Sequence, residues 1–144
     1  MKARSRTPLK PWRRRTADAL GPSSSFLNIK PERQCVEIGA TFLHPSARER
    51  YANAESKLLM LRHAFLSGAR RVELVTDLRN TRSQAAIAKL GAVREGVMRR
   101  DRITWTGHVR DSVLFAITDL DWVHVQANLR SRLAALGWTE PTSL

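Results

Sequence analysis

The stretch 53–118 constrains the fold more than any other part of the chain, because helical and strand patterns alternate along it. Apolar residues at helical spacing predict a helix over 53–66, and Asn53 is a favourable N-cap for it. A β-rich run predicts a short strand over 71–76, and a second helical pattern over 80–90 ends at a glycine. Helices that alternate with strands along a chain indicate an α/β fold.

Further patterns flank this stretch. Alternating apolar residues predict a strand over 34–43, in which Gly39 indicates a β-bulge or a close approach to the backbone. Residues 92–103 and 109–118 predict two strands joined as a hairpin, and Asp119 is expected to cap a last helix. The order β-α-β-α-β-β-α predicts one parallel pair with a right-handed crossover, within a mixed and mostly antiparallel sheet.

The charge of the chain is unevenly distributed. It has 25 basic and 13 acidic residues, a formal net charge of +12, and much of the excess lies in residues 1–33. That segment lacks helical or strand periodicity, so we predict a disordered basic arm, followed by a domain over 34–137 and a tail over 138–144. Positive charge attracts polyanions, so nucleic acid or the ribosome is a predicted partner of residues 2–15; a merely solvated arm is the alternative.

The apolar runs, cysteine count and histidine spacing of the sequence argue against several classes of protein. No apolar run reaches the length of a membrane span. The one cysteine, Cys35, allows no intramolecular disulfide, which is typical of the cytoplasm, and its apolar neighbours predict a buried thiol. No apolar segment of a secretory signal follows the basic arm, although an organelle transit peptide has a similar composition. The four histidines show no metal-ligand spacing, so we expect no metal site.

Two predicted loops lie where open α/β sheets bind ligands, beyond the carboxyl ends of the strands. Residues 44–52 lead into the first helix, and residues 77–80 lead into the second. Unpaired amide groups and the helix dipole make both helix starts favourable for a phosphate. Arg48 and Arg50 add positive charge to the first loop, so the sequence predicts a diphosphate site there.

Three stretches also resemble one family: VEIGATFLHPSARERYANAESKLLMLRHAF, RVELVTDLRNTRSQAAIAKLGAVREGVMRR and GHVRDSVLFAIT, within residues 36–122. They resemble the C-terminal half of GNAT-family N-acetyltransferases of the RimJ/RimL kind. The shared features are a central strand with its cofactor loop, an Asn-x-x-Ser pair at a helix start, and a closing strand with an Arg-Asp pair. The resemblance implies the GNAT (acyl-CoA N-acyltransferase) fold, acetyl-CoA as cosubstrate, and transfer of its acetyl group to a primary amine.

The sequence departs from the family at two places. Residues 1–33 do not resemble the strands and helices with which family members begin, so we expect an N-terminally truncated or rearranged member. The strand that contains Val36 would then have an unpaired edge. The family's cofactor loop is glycine-rich, whereas this chain has Glu49 and Tyr51 in that loop, which lowers the expected affinity for pyrophosphate. A remnant without turnover is therefore a further alternative.

The resemblance also implies which residues hold the cofactor. Backbone amides of residues 38–41 would hold the pantetheine arm and face the thioester carbonyl, and the pyrophosphate would lie on residues 48–53. Asn80 would contact the cofactor from the start of the second helix. The predicted cofactor-binding residues are Ile38, Gly39, Ala40, Thr41, Arg48, Arg50, Tyr51, Ala52, Asn53, Asn80 and Ser83.

Acetyl transfer requires a neutral amine and a donor for the developing oxyanion. At pH 7, deprotonation costs about 1.4 kcal/mol for a peptide α-amine and about 4.6 kcal/mol for a lysine. Glu37 is the predicted base, directly or through a water, and a solvated or salt-bridged glutamate is the alternative. Ser83 is the second catalytic candidate, against a merely tolerated helix residue. The acceptor stays open between a protein N-terminus, a lysine and a small amine, and Arg110 and Asp111 are expected to be surface charges.

Overall fold

The computed structural model describes residues 23–42 and 52–142 of the chain, with side chains described for 25–39 and 53–142. Five strands and three helices follow one another in these residues, and a short 3₁₀ turn at Pro31–Arg33 connects the first two strands. The elements are β1 (Ser23–Lys30), β2 (Cys35–Phe42), α1 (Ala52–Leu66), β3 (Arg71–Asp77), α2 (Thr81–Lys89), β4 (Val93–Ile103), β5 (Val109–Thr118) and α3 (Trp122–Ala135).

The strands form one mixed sheet in the order β1-β2-β3-β5-β4. Only β2 and β3 are parallel, because α1 carries the chain back between them, and the other neighbouring pairs are antiparallel. The β4–β5 hairpin closes through a turn in which Thr104 N donates to His108 O at 2.9 Å. The predicted α/β class and the mixed, mostly antiparallel sheet with a parallel β-α-β unit are confirmed.

Strand β1 corrects the sequence analysis. We predicted that residues 1–33 form a disordered arm and that the strand containing Val36 has an unpaired edge, but Ser23–Lys30 pairs antiparallel with β2. The strand was missed because its first residues, Ser-Ser-Ser after Gly-Pro, resemble a loop. Backbone pairing with β2 and burial of Phe26 in the core stabilise it nonetheless. Residues 1–22 of the predicted arm lie outside the described residues.

The helices pack on one face of the sheet. Burial along β3 alternates, so that Val72 and Leu74 enter the core while Glu73 lies on the other face. The predicted apolar stripes of α1 and α3 are confirmed, and each fully buried leucine of these stripes contributes about 1.5–3 kcal/mol. Helix α2 buries Ile87, and Leu90 at its end, whereas Ala86 is exposed. The buried core residues contributed by the helices are Leu58, Met60, Leu61, Ala64, Ile87, Leu90, Val125, Leu129 and Leu133.

The ends of the elements agree with the sequence in part. Gly68 and Gly91 adopt positive φ values of 97° and 95° after α1 and α2, as their predicted roles at the helix ends require. The predicted cap of α3 is wrong by two residues: Asp121, and not Asp119, occupies the N-cap position. The Asp121 carboxylate accepts from Thr118 N at 3.0 Å, so it secures the end of β5 rather than the helix amides.

Cys35 and three of the tryptophans differ in how far they are buried. Cys35 is buried, as expected, and burial raises the pKa of its thiol. Trp105 lies at the hairpin turn, where 97% of its surface is exposed. Trp122 and Trp138 do pack against the core.

Candidate active site

Strands β2 and β3 part at the carboxyl edge of the sheet. Their pairing ends at Ile38 and Leu74, although β2 continues to Phe42 and β3 to Asp77. Beyond that point β2 stays paired with β1, and β3 stays paired with β5. The parted ends leave backbone groups of two parallel strands facing a cleft, and such groups are strong hydrogen-bond donors and acceptors.

A β-bulge lies on the β2 side of this cleft. From the pair Ser25–Gly39 to the pair Ser23–Phe42, β2 contains one more residue than β1. Bulges redirect backbone groups, so the sequence signal from Gly39 was correct. A Cβ atom on Gly39 would lie 2.7 Å from Cδ1 of Leu27, so a larger residue there would displace the leucine.

The first helix start is only partly described. The predicted cofactor loop between β2 and α1, with Arg48, Arg50 and Tyr51, lies outside the described residues. Helix α1 begins at Ala52, and Asn53 Oδ1 and Ser56 Oγ in its first two turns are buried without a described hydrogen-bond partner. Buried polar atoms are normally satisfied, so these two mark a place where a polar group is needed.

The second helix start is fully described, and hydrogen bonds from Asp77 and Asn80 stabilise it. The Asp77 carboxylate accepts from the Arg79 backbone N at 2.8 Å and from its guanidinium at 3.0 Å. These bonds lower the pKa of Asp77 to about 2, the side-chain bond from Arg79 being the largest cause. Asn80 Oδ1 accepts from Ser83 N at 3.0 Å, so Asn80 is the N-cap of α2.

The two helix starts follow strand ends that lie on the same edge of the sheet. Because β2 and β3 are parallel neighbours, their carboxyl ends point the same way. The cleft between the parted strands therefore opens toward the start of α2 after β3. The diphosphate site that the sequence predicts at the first loop lies outside the described residues and stays a prediction.

Glu37 lies on the sheet face opposite the helices, one residue before the strands part. Its side chain is only 5% exposed. Oε2 accepts from Asn28 Nδ2 at 2.7 Å, and Oε1 lies 3.5 Å from Arg102 Nη2. Arg102 belongs to β4, which two strands separate from β2 in the sheet, so its side chain reaches back across this face. The predicted salt-bridged alternative for Glu37 is therefore what the structure shows.

The β4–β5 hairpin carries residues that the sequence analysis did not bring into the site. Arg102 and Arg110 are cross-strand partners, and the Asp101 carboxylate accepts from Arg102 Nε at 2.8 Å. Two extra residues of β4 form an irregularity between Met98 and Arg102. Asp111 supports this irregularity by accepting from Arg100 N at 2.7 Å.

Arg110 is not the surface charge that was expected. Its Nε donates to Ser112 Oγ at 2.8 Å, and its Nη2 is buried without a described acceptor. Ser112 is fully buried beside Asp77 at the same edge of the sheet. The available sequence signal was the alternation of β5, which places Arg110 and Ser112 on the face opposite the core residues.

A second ion-pair group on this face is structural. Arg71 of β3 donates to Glu73 at 3.0 Å and to both oxygens of Glu95 on β4, at 2.8 and 2.5 Å. These bonds raise the pKa of Arg71 and lower that of Glu95. The group links β3 to β4 across β5 at the end of the sheet away from the cleft.

Within the described residues, no three potential metal ligands lie close together. None of the described helices has the length and apolar character that a membrane span would need.

Comparison with known proteins identifies the class by fold. No family model and no curated protein matches the chain. Among solved structures, one described as an acetyltransferase from T. thermophilus matches with a TM-score of 0.72 and 43% identity, over 76% of this chain and 58% of that one. A GCN5-related N-acetyltransferase from Brucella melitensis matches with a TM-score of 0.76 and 25% identity, over 83% and 54%. By fold, the described part of the chain thus belongs with the GNAT acetyltransferases.

A solved structure of a RimJ protein also matches the chain. Mycobacterium smegmatis RimJ in complex with CoA-disulfide matches with a TM-score of 0.66 and 24% identity, over 81% of this chain and 55% of RimJ. At this identity the likeness is one of fold. The chain spans little more than half the length of these three relatives. The recognition made from the sequence, a GNAT fold matching part of RimJ-like proteins, is confirmed.

Proposed function

We propose that the chain is an N-acetyltransferase that takes the acetyl group from acetyl-CoA and transfers it to a primary amine. The observation that carries this proposal is the parting of β2 and β3 beyond Ile38 and Leu74, at the edge where β3 leads into α2. The acetyltransferases of the same fold support it, as does the CoA-disulfide bound to RimJ.

The residues at the cleft fit acetyl-CoA. Backbone groups of residues 38–41, freed from pairing with β3, would bond the amides of the pantetheine arm. The pyrophosphate would lie at the start of α1, where the dipole is positive and the Ser56 hydroxyl, which can donate a hydrogen bond, lacks a described partner. Arg48, Arg50, Tyr51 and Ala52 remain proposed contacts of the same group. Asn80 and Ser83 would contact the cosubstrate from the start of α2.

The chemistry supplied by acetyl-CoA is an activated thioester. The bulge beside Gly39 would aim a backbone N–H at the thioester oxygen, where negative charge develops. Glu37 would take the proton of the amine through a water, because Asn28 and Arg102 already engage both of its oxygens. Ser83 remains the second catalytic candidate. The proposed acceptors are a peptide α-amine, a lysine or a small amine in the cytoplasm.

Calorimetric titration of the full chain with acetyl-CoA tests the proposal. We expect saturable binding that Asn80→Ala weakens and that Ser131→Ala, a change at an exposed position of helix α3, leaves unchanged. Circular dichroism of the same samples verifies that they are folded. A folded protein that releases no binding heat with acetyl-CoA, and acetylates no amine in a radiolabel assay, would refute the proposal.

A second candidate function is nucleic-acid binding through residues 2–15, favoured by the seven basic and no acidic residues there. It predicts binding to RNA or DNA that falls steeply with salt concentration and is lost when residues 1–22 are deleted. Binding to acetyl-CoA should survive the same deletion, which separates the two functions.

A further inference from the structure

The tip of the β4–β5 hairpin projects beyond its neighbour β3. The pairing of β5 with β3 ends at Ser112, so residues 99–111 lie past the end of β3. The turn is closed by Thr104 N, which donates to His108 O at 2.9 Å. This bond does not involve Trp105, so the side chain at that position is not needed to form the turn.

Trp105 lies at this tip with 97% of its surface exposed. Its ring takes part in neither of the ring contacts found among the described residues, whereas Trp122 stacks on Phe65 with ring centroids 5.2 Å apart. A tryptophan stabilises a fold mainly through the surface that it buries. The described fold makes no such use of Trp105, and both faces of its ring are open to a ligand.

The same end of the hairpin carries a positive charge. Residues 99–108 include three arginines and one acid, Asp101, which accepts from Arg102 Nε at 2.8 Å. Arg99 and Arg100 are exposed, and neither guanidinium has a hydrogen bond or an ion pair within the part of the chain that the structure describes. These two charges are therefore available to an anion from outside the chain.

The backbone around these arginines is irregular. Two extra residues interrupt β4 between Met98 and Arg102, and Arg100 adopts a positive φ of 51°, which side chains other than glycine and asparagine rarely do. Asp111 supports this conformation by accepting from Arg100 N at 2.7 Å. Because glycine or asparagine would suit this backbone better, the charge of Arg100 explains the residue better than the turn does.

We propose that the tip of the hairpin binds single-stranded nucleic acid, with a base stacked on Trp105 and phosphates on Arg99 and Arg100. Exposed aromatic rings beside positive charges are the means by which proteins bind single strands. At about 3.3 Å per residue, Arg100 and Trp105 lie within about 17 Å of each other along β4, which a few nucleotides span. This site is separate from residues 2–15 and does not depend on the proposed acetyl transfer.

Two other polyanions fit the tip less well. In a duplex the bases stack on one another, so no base face is free for Trp105. An anionic bilayer also attracts tryptophan and arginine, but its binding strength grows with the apolar area inserted, and Ile103, 73% exposed, is the apolar residue that adjoins Trp105 most closely in sequence.

Binding of the full chain to a fluorescent deoxythymidine oligonucleotide of about 12 residues, followed by anisotropy, tests the stacking contact. Trp105→Ala should weaken binding about fivefold to 150-fold, the range for loss of one stacked base. Trp105→Phe keeps a ring and should retain most of the affinity. Trp105→Leu keeps an apolar side chain without a ring and should bind as weakly as Trp105→Ala. Residues 2–15 are the same in all these proteins, so their contribution cancels.

Salt dependence tests the charge contacts. The double variant Arg99→Gln with Arg100→Gln should reduce the slope of log affinity against log salt concentration by about 1.4, because each phosphate contact on a single strand contributes about 0.7. The matched control is Arg33→Gln with Arg70→Gln, which removes two exposed arginines at the opposite ends of β2 and β3. The control should leave the slope unchanged.

Three results would overturn the inference. One is an affinity for the oligonucleotide that Trp105→Ala leaves unchanged, or no binding at all. Another is a duplex of the same length that binds as tightly and depends equally on Trp105. The third is binding to equimolar phosphatidylserine and phosphatidylcholine vesicles that Trp105→Leu retains and Trp105→Ala loses, which would assign the tip to a membrane surface. The Trp105 variants should titrate acetyl-CoA as the wild type does, so each outcome leaves the proposed acetyl transfer to its own test.

Discussion

The contact between Glu37 and Arg102 can be measured as a coupling free energy. Glu37→Gln keeps the side-chain volume and removes the charge, and Arg102→Met removes the cation while keeping an apolar stem. The two single variants and the double variant form a cycle that isolates the pairwise contribution to the free energy of unfolding. Arg99→Met, on the exposed part of the same strand, is the control for loss of an arginine.

The expected coupling follows from the geometry. Two unit charges 3.5 Å apart attract by about 5 kcal/mol at an effective dielectric constant of about 20. The Arg102 side chain is 38% exposed, so solvent screens much of this attraction, and we expect a coupling of about 1–2 kcal/mol. Arg102→Met alone should cost more than the coupling, because it leaves the buried carboxylate with Asn28 as its described partner.

Urea denaturation followed by circular dichroism supplies the four free energies. A coupling below about 0.3 kcal/mol, within the scatter of additive sites, would show that the hairpin does not hold Glu37 in solution. The same cycle repeated in high salt should lose part of its coupling.

Three further predictions concern other parts of the fold. Burial lowers the pKa of Lys57 from 10.5 to about 8. The unfolded chain therefore binds more protons than the folded chain between these pH values, so the free energy of unfolding should rise with pH by about 3 kcal/mol across this range. Lys57→Met should abolish this rise in urea titrations repeated at several pH values. Asn80→Ala should lower the free energy of unfolding by about 1 kcal/mol through loss of the α2 cap, and Asn80→Asp should not. Leu129→Ala should cost about 2–5 kcal/mol in the same assay, because the residue is fully buried, whereas a loss below about 1 kcal/mol would contradict its central position.

Much of the fold was predictable because its signals are local. Apolar spacing along α1 and α3, the glycines after the helices and the alternation of β5 each depend on neighbouring residues. The Asn80 cap was predictable for the same reason. Strand β1 was not, because its serines carry no strand signal and its stability comes from pairing with β2.

The sequence indicates the part of the candidate site that β2 forms, but not the part that the β4–β5 hairpin forms. The sequence indicated the parallel pair of β2 and β3 and, at Gly39, a bulge or a close approach to the backbone, but not the point at which the two strands part. The partner of Glu37 lies 65 residues further along the chain, so it depends on how the β4–β5 hairpin reaches across the sheet face. No spacing rule in a single sequence specifies such a contact, and the partly buried position of Arg110 depends on the same hairpin.

The irregular strand β4 has a consequence for how copies of the protein can associate. It is the last strand on its side of the sheet, and register shifts interrupt it twice while charged side chains occupy much of its length. A strand from a neighbouring molecule would find few aligned backbone partners there and would have to bury those charges. We therefore expect this edge of the described sheet to disfavour edge-to-edge pairing with the sheet of another molecule.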